Sequence, residues 1–469
     1  MMCRKPSCNP LVFALVLAVG GTLAGCAGPR MPALTTPLPP TWSRPPVAPA
    51  TPAPDLQHWW TIFADPLLDQ LVRTSLDGNL DLVAARQRLQ GARALAAHSG
   101  DAYLPEFHAH AQPVQSPDGV DSFFQYGLDA SWELGLFGRR RSAEWVARSH
   151  ALSAEAELQA LRVSLVAEVA RTYIELRAAQ QVLALHRNLE SLERQRVDLL
   201  DARARIGVGA VGEVTRARAA HDQEVAALPL QQQAVDVAAL RLALLLGQVM
   251  PEPAWLNPAP LPVAAIPALT GVPADLLRTR PDIHMAEAAV MESAGELGIA
   301  RSELYPYVGI GGELMYSLNL TGNFTIDGDN LHLISSIGPT IDLPLFDWGR
   351  RKAAADARAA ALEAAVTSYR KAVISAVNEV VLALAVVNGA QASRAAVQNA
   401  LQQHDAGVES QRSLQQLGLS SPLQMLDANR ELLQACLGMV EADAGQGLAL
   451  VSLYKALGGA SLPAVAEKD

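Results

Sequence analysis

Residues 205–219 read RIGVGAVGEVTRARA, and the run Gly207, Val208, Gly209, Ala210, Val211, Gly212 satisfies G-x-G-x-x-G. Glycines at this spacing let a backbone approach a pyrophosphate at a helix mouth, and Asp236 stands near where a ribose-binding acid would follow. A second candidate is Glu106, His108 and His110, which alternate so that three possible metal ligands share one strand face. A polar wall facing water explains the same alternation. The sequence holds no G-x-S-x-G, H-E-x-x-H or Walker A run and no Cys/His pairs at metal spacing. No catalytic centre, cofactor or resident metal is therefore predicted, and the chain is expected not to be an enzyme.

The glycine run has a nucleotide-binding mechanism only if a buried strand precedes it. What precedes it is ERQRVDLLDARAR, a charged amphipathic helix. The chain also repeats. Gly138-Arg139-Arg140 recurs as Gly349-Arg350-Arg351, Glu168-Val169 as Glu379-Val380, Ile206-Gly207 as Leu417-Gly418, and Gly247 as Gly458, all 211 positions apart. The second copy of the glycine run, Gly418, Leu419, Ser420, Ser421, Pro422, keeps the first glycine alone. The glycines are better read as helix C-caps at tight reversals between antiparallel helices. Asp236 becomes a surface acid on a helix.

Each copy opens with a moderate helix, over about 66–100 and about 273–303. Strict alternation follows: Phe124, Tyr126, Leu128, Ala130 and Trp132 interleave with Gln125, Gly127, Asp129 and Ser131, and Val308, Ile310, Leu314 and Tyr316 begin the second set. Runs of this length and period match transmembrane barrel strands. From Arg139 to Arg205 no proline or glycine intervenes, and Leu158, Leu161, Leu165, Val169, Tyr173 and Leu176 step at helical spacing. Such a helix is a rod of roughly 100 Å. A second helix returns to Gly247, and Pro229 should kink or break it. Asp347 is expected to cap the second rod.

The ends add a location. Residues 1–25 carry Arg4, Lys5 and a short apolar run, as a cleaved signal does, and Leu23-Ala24-Gly25-Cys26 resembles the lipoprotein box, whose cysteine is acylated. Prolines crowd residues 29–54, as in an extended tether. With the signal removed, Cys436 is left without a disulfide partner and is expected to be core packing. The net charge of −10 and the lack of a basic block argue against nucleic acid. The expected divisions are a signal (1–25), an acylated terminus and tether (26–60), a first repeat (61–250), a linker (251–272), a second repeat (273–460) and a tail (461–469). Strands are expected over about 104–135 and 305–344, and long helical hairpins over about 139–247 and 350–458.

Four strands cannot close around a lumen, and open edges in lipid leave backbone groups unsatisfied. Chains must pool them. At this point the sequence resembles a known family. The lipoprotein box, the tandem repeat, the strand pairs, LFDWGRRKAAADARAAALEAA, LQQLGLSSPLQMLDANRELL and the terminal SLYKALGG are similar to the TolC-like outer-membrane efflux proteins, in their lipoprotein branch. The resemblance implies a mainly α fold with β: a homotrimer with a 12-stranded outer-membrane β-barrel on a 12-helix periplasmic α-barrel. It further implies a passive exit duct, with tips at Gly207–Gly212 and Gly418–Pro422 docking a periplasmic adaptor and, through it, an inner-membrane pump. Asp427 falls where the family places a pore-lining carboxylate at the constriction, while Gln424 replaces a second acid common there. A protein-secretion duct of the same fold and a non-conducting periplasmic coiled-coil lipoprotein are the alternatives.

Overall fold

The computed structural model describes residues 29–35, 56–115, 122–264, 280–320 and 331–459. The expected signal, Cys26, most of the tether, part of the linker and the C-terminal tail lie outside the described residues. A 3-10 segment, Leu56–Phe63, precedes α1 (Pro66–Gly78), α2 (Leu80–Ala97), β1 (Glu106–Gln115), β2 (Ser122–Glu133), α3 (Arg139–Arg205) and α4 (Val211–Leu245). A single turn, α5 (Pro253–Leu256), leads to α6 (Pro281–Ser302), β3 (Tyr307–Asn319), β4 (Leu331–Asp342), α7 (Arg350–Gln416) and α8 (Pro422–Ala456). Two compact units result. One takes residues 1–36, 87–156 and 284–372 and holds the strands; the other takes 37–86, 157–283 and 373–469 and holds most of the helical length.

The repeat extends to element length and backbone angle. Helices α3 and α7 each have 67 residues, and α4 and α8 each have 35. Gly207 and Gly418 end the long helices in the left-handed conformation, with φ of +77° and +72°. The N–H of Val208 donates to Arg203 O and that of Gly207 to Ala204 O; Leu419 and Gly418 do the same to Leu414 O and Gln415 O. This crossed pair of bonds satisfies carbonyls left over at a helix end, and it requires a residue that tolerates positive φ. The glycines are thus explained by helix termination, and a helix, not a strand, leads into the first run.

Two expectations are corrected. The helix expected over about 66–100 is two helices, because Asn79 starts a new one. Its Oδ1 accepts from Asp81 N at 3.0 Å and Leu82 N at 3.1 Å, and its Nδ2 donates to Leu245 O at 3.0 Å. Pro229 does not break α4, which runs through it. The carbonyl deprived of its donor belongs to Val225, an exposed residue, so water can take the place of the missing N–H.

The helical unit is centred on aromatic side chains. Trp59 is fully buried and stacks on Tyr454 with centroids 5.1 Å apart. Asp65 caps α1, accepting from Leu67 N at 2.9 Å and Leu68 N at 3.2 Å through Oδ1, while its Oδ2 accepts the Tyr173 hydroxyl at 2.6 Å. Arg177, 2% exposed, donates to Tyr173 Oη at 3.1 Å, Gln180 Oε1 at 2.7 Å and the carbonyls of Asn257 at 2.8 Å and Trp255 at 3.3 Å. One buried cation therefore ties α3 to the segment after α5. In the second repeat Arg280 bridges Asp282 at 2.8 Å and Glu379 at 2.6 Å and also donates to Ala456 O.

Burial, then the hydrogen bond to Asp65, pushes the Tyr173 hydroxyl up from 10.0 to about 12. The folded chain thus favours the protonated phenol. The resulting stability is complete below pH about 10 and is lost as pH rises through about 12. Thermal melts in that window should show this loss in the wild type, and a shallower slope in Tyr173→Phe. At neutral pH the same variant should cost about 1 kcal/mol.

Candidate functional site

The strands form one antiparallel sheet in the order β1-β2-β3-β4. Each repeat supplies a hairpin, and the hairpins join through β2 and β3, with Tyr126 opposite Tyr316 and Leu128 opposite Leu314. The register aligns the alternating sets into faces. One face carries Phe107, Phe124, Tyr126, Leu128, Leu314, Leu333, Ile337 and Ile341. These side chains have no cover: Phe107 is 75% exposed and Ile337 86%. A soluble protein does not leave such a sheet face bare, whereas a lipid-facing wall must. Among the described residues, the outer edges of β1 and β4 have no neighbour in the sheet.

The other face is polar and holds Glu106, His108 and His110. His110 Nδ1 lies 2.9 Å from Asp129 Oδ1 and its Nε2 lies 2.8 Å from Met315 Sδ; His108 Nε2 sits 3.6 Å from Glu106. His110 is engaged in cross-strand contacts, and among the described residues no three His, Cys, Asp or Glu side chains gather as metal ligands. The contact to Met315 passes over Gly127, the residue paired with both. A Cβ at Gly127 would stand 2.3 Å from Leu314 O and 2.7 Å from Met315 Cα, so the strands approach there only because the side chain is missing.

Aromatic residues collect where strands hand over to long helices. Trp132 Nε1 donates to Tyr103 O at 2.9 Å, Phe137 stacks on Tyr305 at 4.8 Å, and Phe346 lies 4.7 Å from Trp348. Trp348 is 86% exposed. Exposed rings at the ends of a barrel wall are where a membrane–water boundary falls. Asp347 accepts from Gly349 N and Arg351 N, both at 3.1 Å, and so fixes the start of α7. Positive φ recurs at Phe137 and Trp348 and at Gly138 and Gly349, so the turn is built alike in both repeats.

In the helical unit, the two hairpin turns differ chemically. Around the first, Ile206, Val208 and Val211 are exposed, and Ala210 begins α4 without a side-chain cap. Gly209 is closed in, since a Cβ there would lie 3.2 Å from Ala204 N, whereas Gly212 faces open space. At the second turn Leu417 and Leu419 are exposed, Ser420 follows, and Pro422 opens α8 behind a capping box. Ser421 N donates to Gln424 Oε1 at 2.8 Å, and Gln424 N donates to Ser421 Oγ at 3.3 Å. Gln424 is thus occupied as a cap.

Asp427 is not a bare acid. Its Oδ1 lies 3.1 Å from Arg196 Nη1 on α3, and one turn along Arg430 stands 3.9 Å from the buried Glu193. The two helices carry opposite charges in matching order, three residues apart on each. Sequence reading missed this pairing, although Glu193 and Arg196 on α3 mirror Asp427 and Arg430 on α8. Beside it Leu200, Val214 and Ala217 form a small apolar cluster with Val197, Ala204 and Leu423. Asp236 accepts from Gln232 on an exposed helix surface. Cys436 is half-buried, its thiol pushed up by burial and by Asp405.

Residues 71–248 and 272–459, one stretch per repeat, match the outer membrane efflux protein family. The chain belongs to that family. The toluene efflux pump outer membrane protein TtgI of Pseudomonas putida is 31% identical over 412 residues, which cover 85% of this chain and 86% of TtgI. The pyoverdine export outer membrane protein OpmQ of the same species is 29% identical and covers 95% of this chain and 96% of its own length. Among solved structures, the outer-membrane channel OprN matches with a TM-score of 0.75 and 30% identity, covering 91% of this chain and 99% of that one. The open state of the Neisseria gonorrhoeae MtrE channel gives 0.79 at 26% identity, covering 92% and 98%. This efflux protein is accordingly the outer-membrane component of an efflux pump, located in the outer membrane and built as a tandem-repeat channel fold.

Gly127 gives a test of the wall. Gly127→Val should force β2 from β3 at cross-strand pairs of the sheet and destabilise it by about 1–3 kcal/mol. A lower melting temperature of the strand signal in circular dichroism would show this; an unchanged melt would mean that the close approach is dispensable.

Proposed function

We propose that three copies of this chain, each acylated at Cys26, assemble into a ring that forms the exit duct of a tripartite efflux pump. The duct joins a periplasmic adaptor at the tips Gly207–Gly212 and Gly418–Pro422, and through it an inner-membrane transporter. It passes drugs and small toxic compounds passively, with no catalytic activity of its own and no cofactor. The observation that carries this reading is the sheet with two different open edges and one bare apolar face.

Edges β1 and β4 are unlike, so the β4 edge of one copy meets the β1 edge of the next, which is a head-to-tail contact that closes only as a ring. The helices supply a second such pair of surfaces. Val237, Leu240 and Leu244 lie exposed along one side of α4, and Ile374, Leu382 and Val386 along one side of α7. Two copies would pool eight strands, which leaves an interior that side chains fill; three copies of the four-stranded sheet leave a lumen. The polar face with Glu106, His108 and Asp129 then lines that lumen. Relatives named for toluene efflux and antibiotic efflux support small toxic compounds as the cargo class.

At the tips, Asp427 serves as the constriction carboxylate, its charge shared with Arg196. Loss of the acid releases Arg196 and changes the sign of the local field. Asp427→Ala should therefore alter single-channel conductance or its block by cations in planar bilayers, and Arg196→Ala should shift it in the opposite sense. Unchanged traces in both variants would remove the gate role. Leu382→Asp should reduce the detergent-solubilised mass from that of three chains to that of one; an intact assembly would count against the helical contact.

A further inference from the structure

Each long helix begins with three consecutive cations: Arg139, Arg140 and Arg141 in α3, and Arg350, Arg351 and Lys352 in α7. Neither first turn carries an acid. That order opposes the helix macrodipole, which favours anions at this end, so a compensating negative partner is called for. Part of the charge is compensated internally. Arg139 pairs with Glu133 at 3.0 Å and Glu303 at 3.6 Å, Arg140 with Glu144 at 2.9 Å, and Arg351 with Asp347 at 3.7 Å. Arg141, Arg350 and Lys352 are exposed and form no ion pair with a described residue. Against these three stands Asp342, the strand-end acid likewise without an ion pair among the described residues.

A second observation concerns position. Arg350 and Lys352 follow directly on the exposed Leu345, Phe346 and Trp348, and Arg141 follows the exposed Leu136 and the half-buried Phe137, each at the end of a strand in a sheet whose apolar face is bare. Cationic side chains beyond an aromatic girdle sit at phosphate depth, their stems along the apolar boundary and their heads in the polar layer. A cavity of about 380 Å³ at this strand end is the obvious competitor as a seat. It sets Arg139, Arg350 and Arg351 against Glu133, Glu303 and Asp342 and is balanced as a whole, so an anion gains no net attraction inside it. Arg141 and Lys352 lie outside its lining, and of the lining cations Arg350 is the one that is exposed and in no ion pair with a described residue.

We propose that Arg141, Arg350 and Lys352 form a cationic collar that binds the phosphate groups of anionic phospholipids at the membrane boundary of the sheet. The collar rests on the reading of that sheet as a membrane wall, and its test uses the assembled channel, whose conductance reports the wall separately. The assembled protein is reconstituted with spin-labelled phosphatidylglycerol or phosphatidylcholine, and the bound fraction of each is measured. The wild type should favour the anionic lipid by about fivefold for each cation engaged, and 0.5 M salt should abolish the preference. Combined R141Q, R350Q and K352Q should bring the two lipids to equal association while conductance persists. If that variant does not assemble, R141Q and K352Q singly should each lower the preference. A wild type without preference overturns the proposal, and so does a preference that survives either the substitutions or the salt. Unaltered lipid association with shifted ion selectivity also overturns it, by placing the cations on the lumen side.

Discussion

Backbone hydrogen bonding in hydrocarbon governs this molecule. A strand edge in lipid has no water to satisfy its N–H and C=O groups, and each orphan costs several kcal/mol. Among the described residues the chain resolves this inside itself from β1 to β4, where the two repeats join their hairpins through β2 and β3. The edge pairing that remains must come from other copies. The apolar positions left open along α4 and α7 obey the same demand, since rods of this length cannot bury their stripes within one chain.

The distribution of aromatic residues follows from the same plan. Along the long helices the buried positions are mostly small or branched aliphatic, as at Ala376, Val380, Ala383, Leu384 and Val387 on α7. Large rings are placed where regular packing stops. Trp59, Trp255, Tyr173 and Tyr454 fill the broad core near the ends of the short helices, and Trp132, Phe137, Phe346 and Trp348 mark the strand ends. Charge is used sparingly: buried Arg177 and Arg280 each hold several carbonyls or acids, so that neither is an uncompensated cation in the interior.

Much of this was legible in the sequence because periodicity and repetition are local signals. The long helix from Arg139 shows itself by the absence of glycine and proline, and the strands by alternation from Phe124 onward. The glycine run could be distinguished from a nucleotide loop because its second copy lacks two of the glycines. Less legible was what depends on long-range meeting. The break at Asn79 rests on a bond to Leu245 far along the chain, and the tie between Asp427 and Arg196 requires knowing that α3 and α8 run side by side. Pro229 misled for the opposite reason. A residue that usually ends a helix is tolerated where solvent can satisfy the freed carbonyl.

The two repeats have diverged in most of their residues while keeping 67 and 35 residues in their helices. This difference between side chain and spacing carries a rule about inheritance. A replaced residue perturbs one neighbourhood, but a single residue added within α3 would turn everything beyond it by about 100° and move its terminal glycine off the reversal. Such a chain can tolerate exchange of letters far more readily than change of count, and natural variants of it should record drift in composition alongside near-fixed helix length.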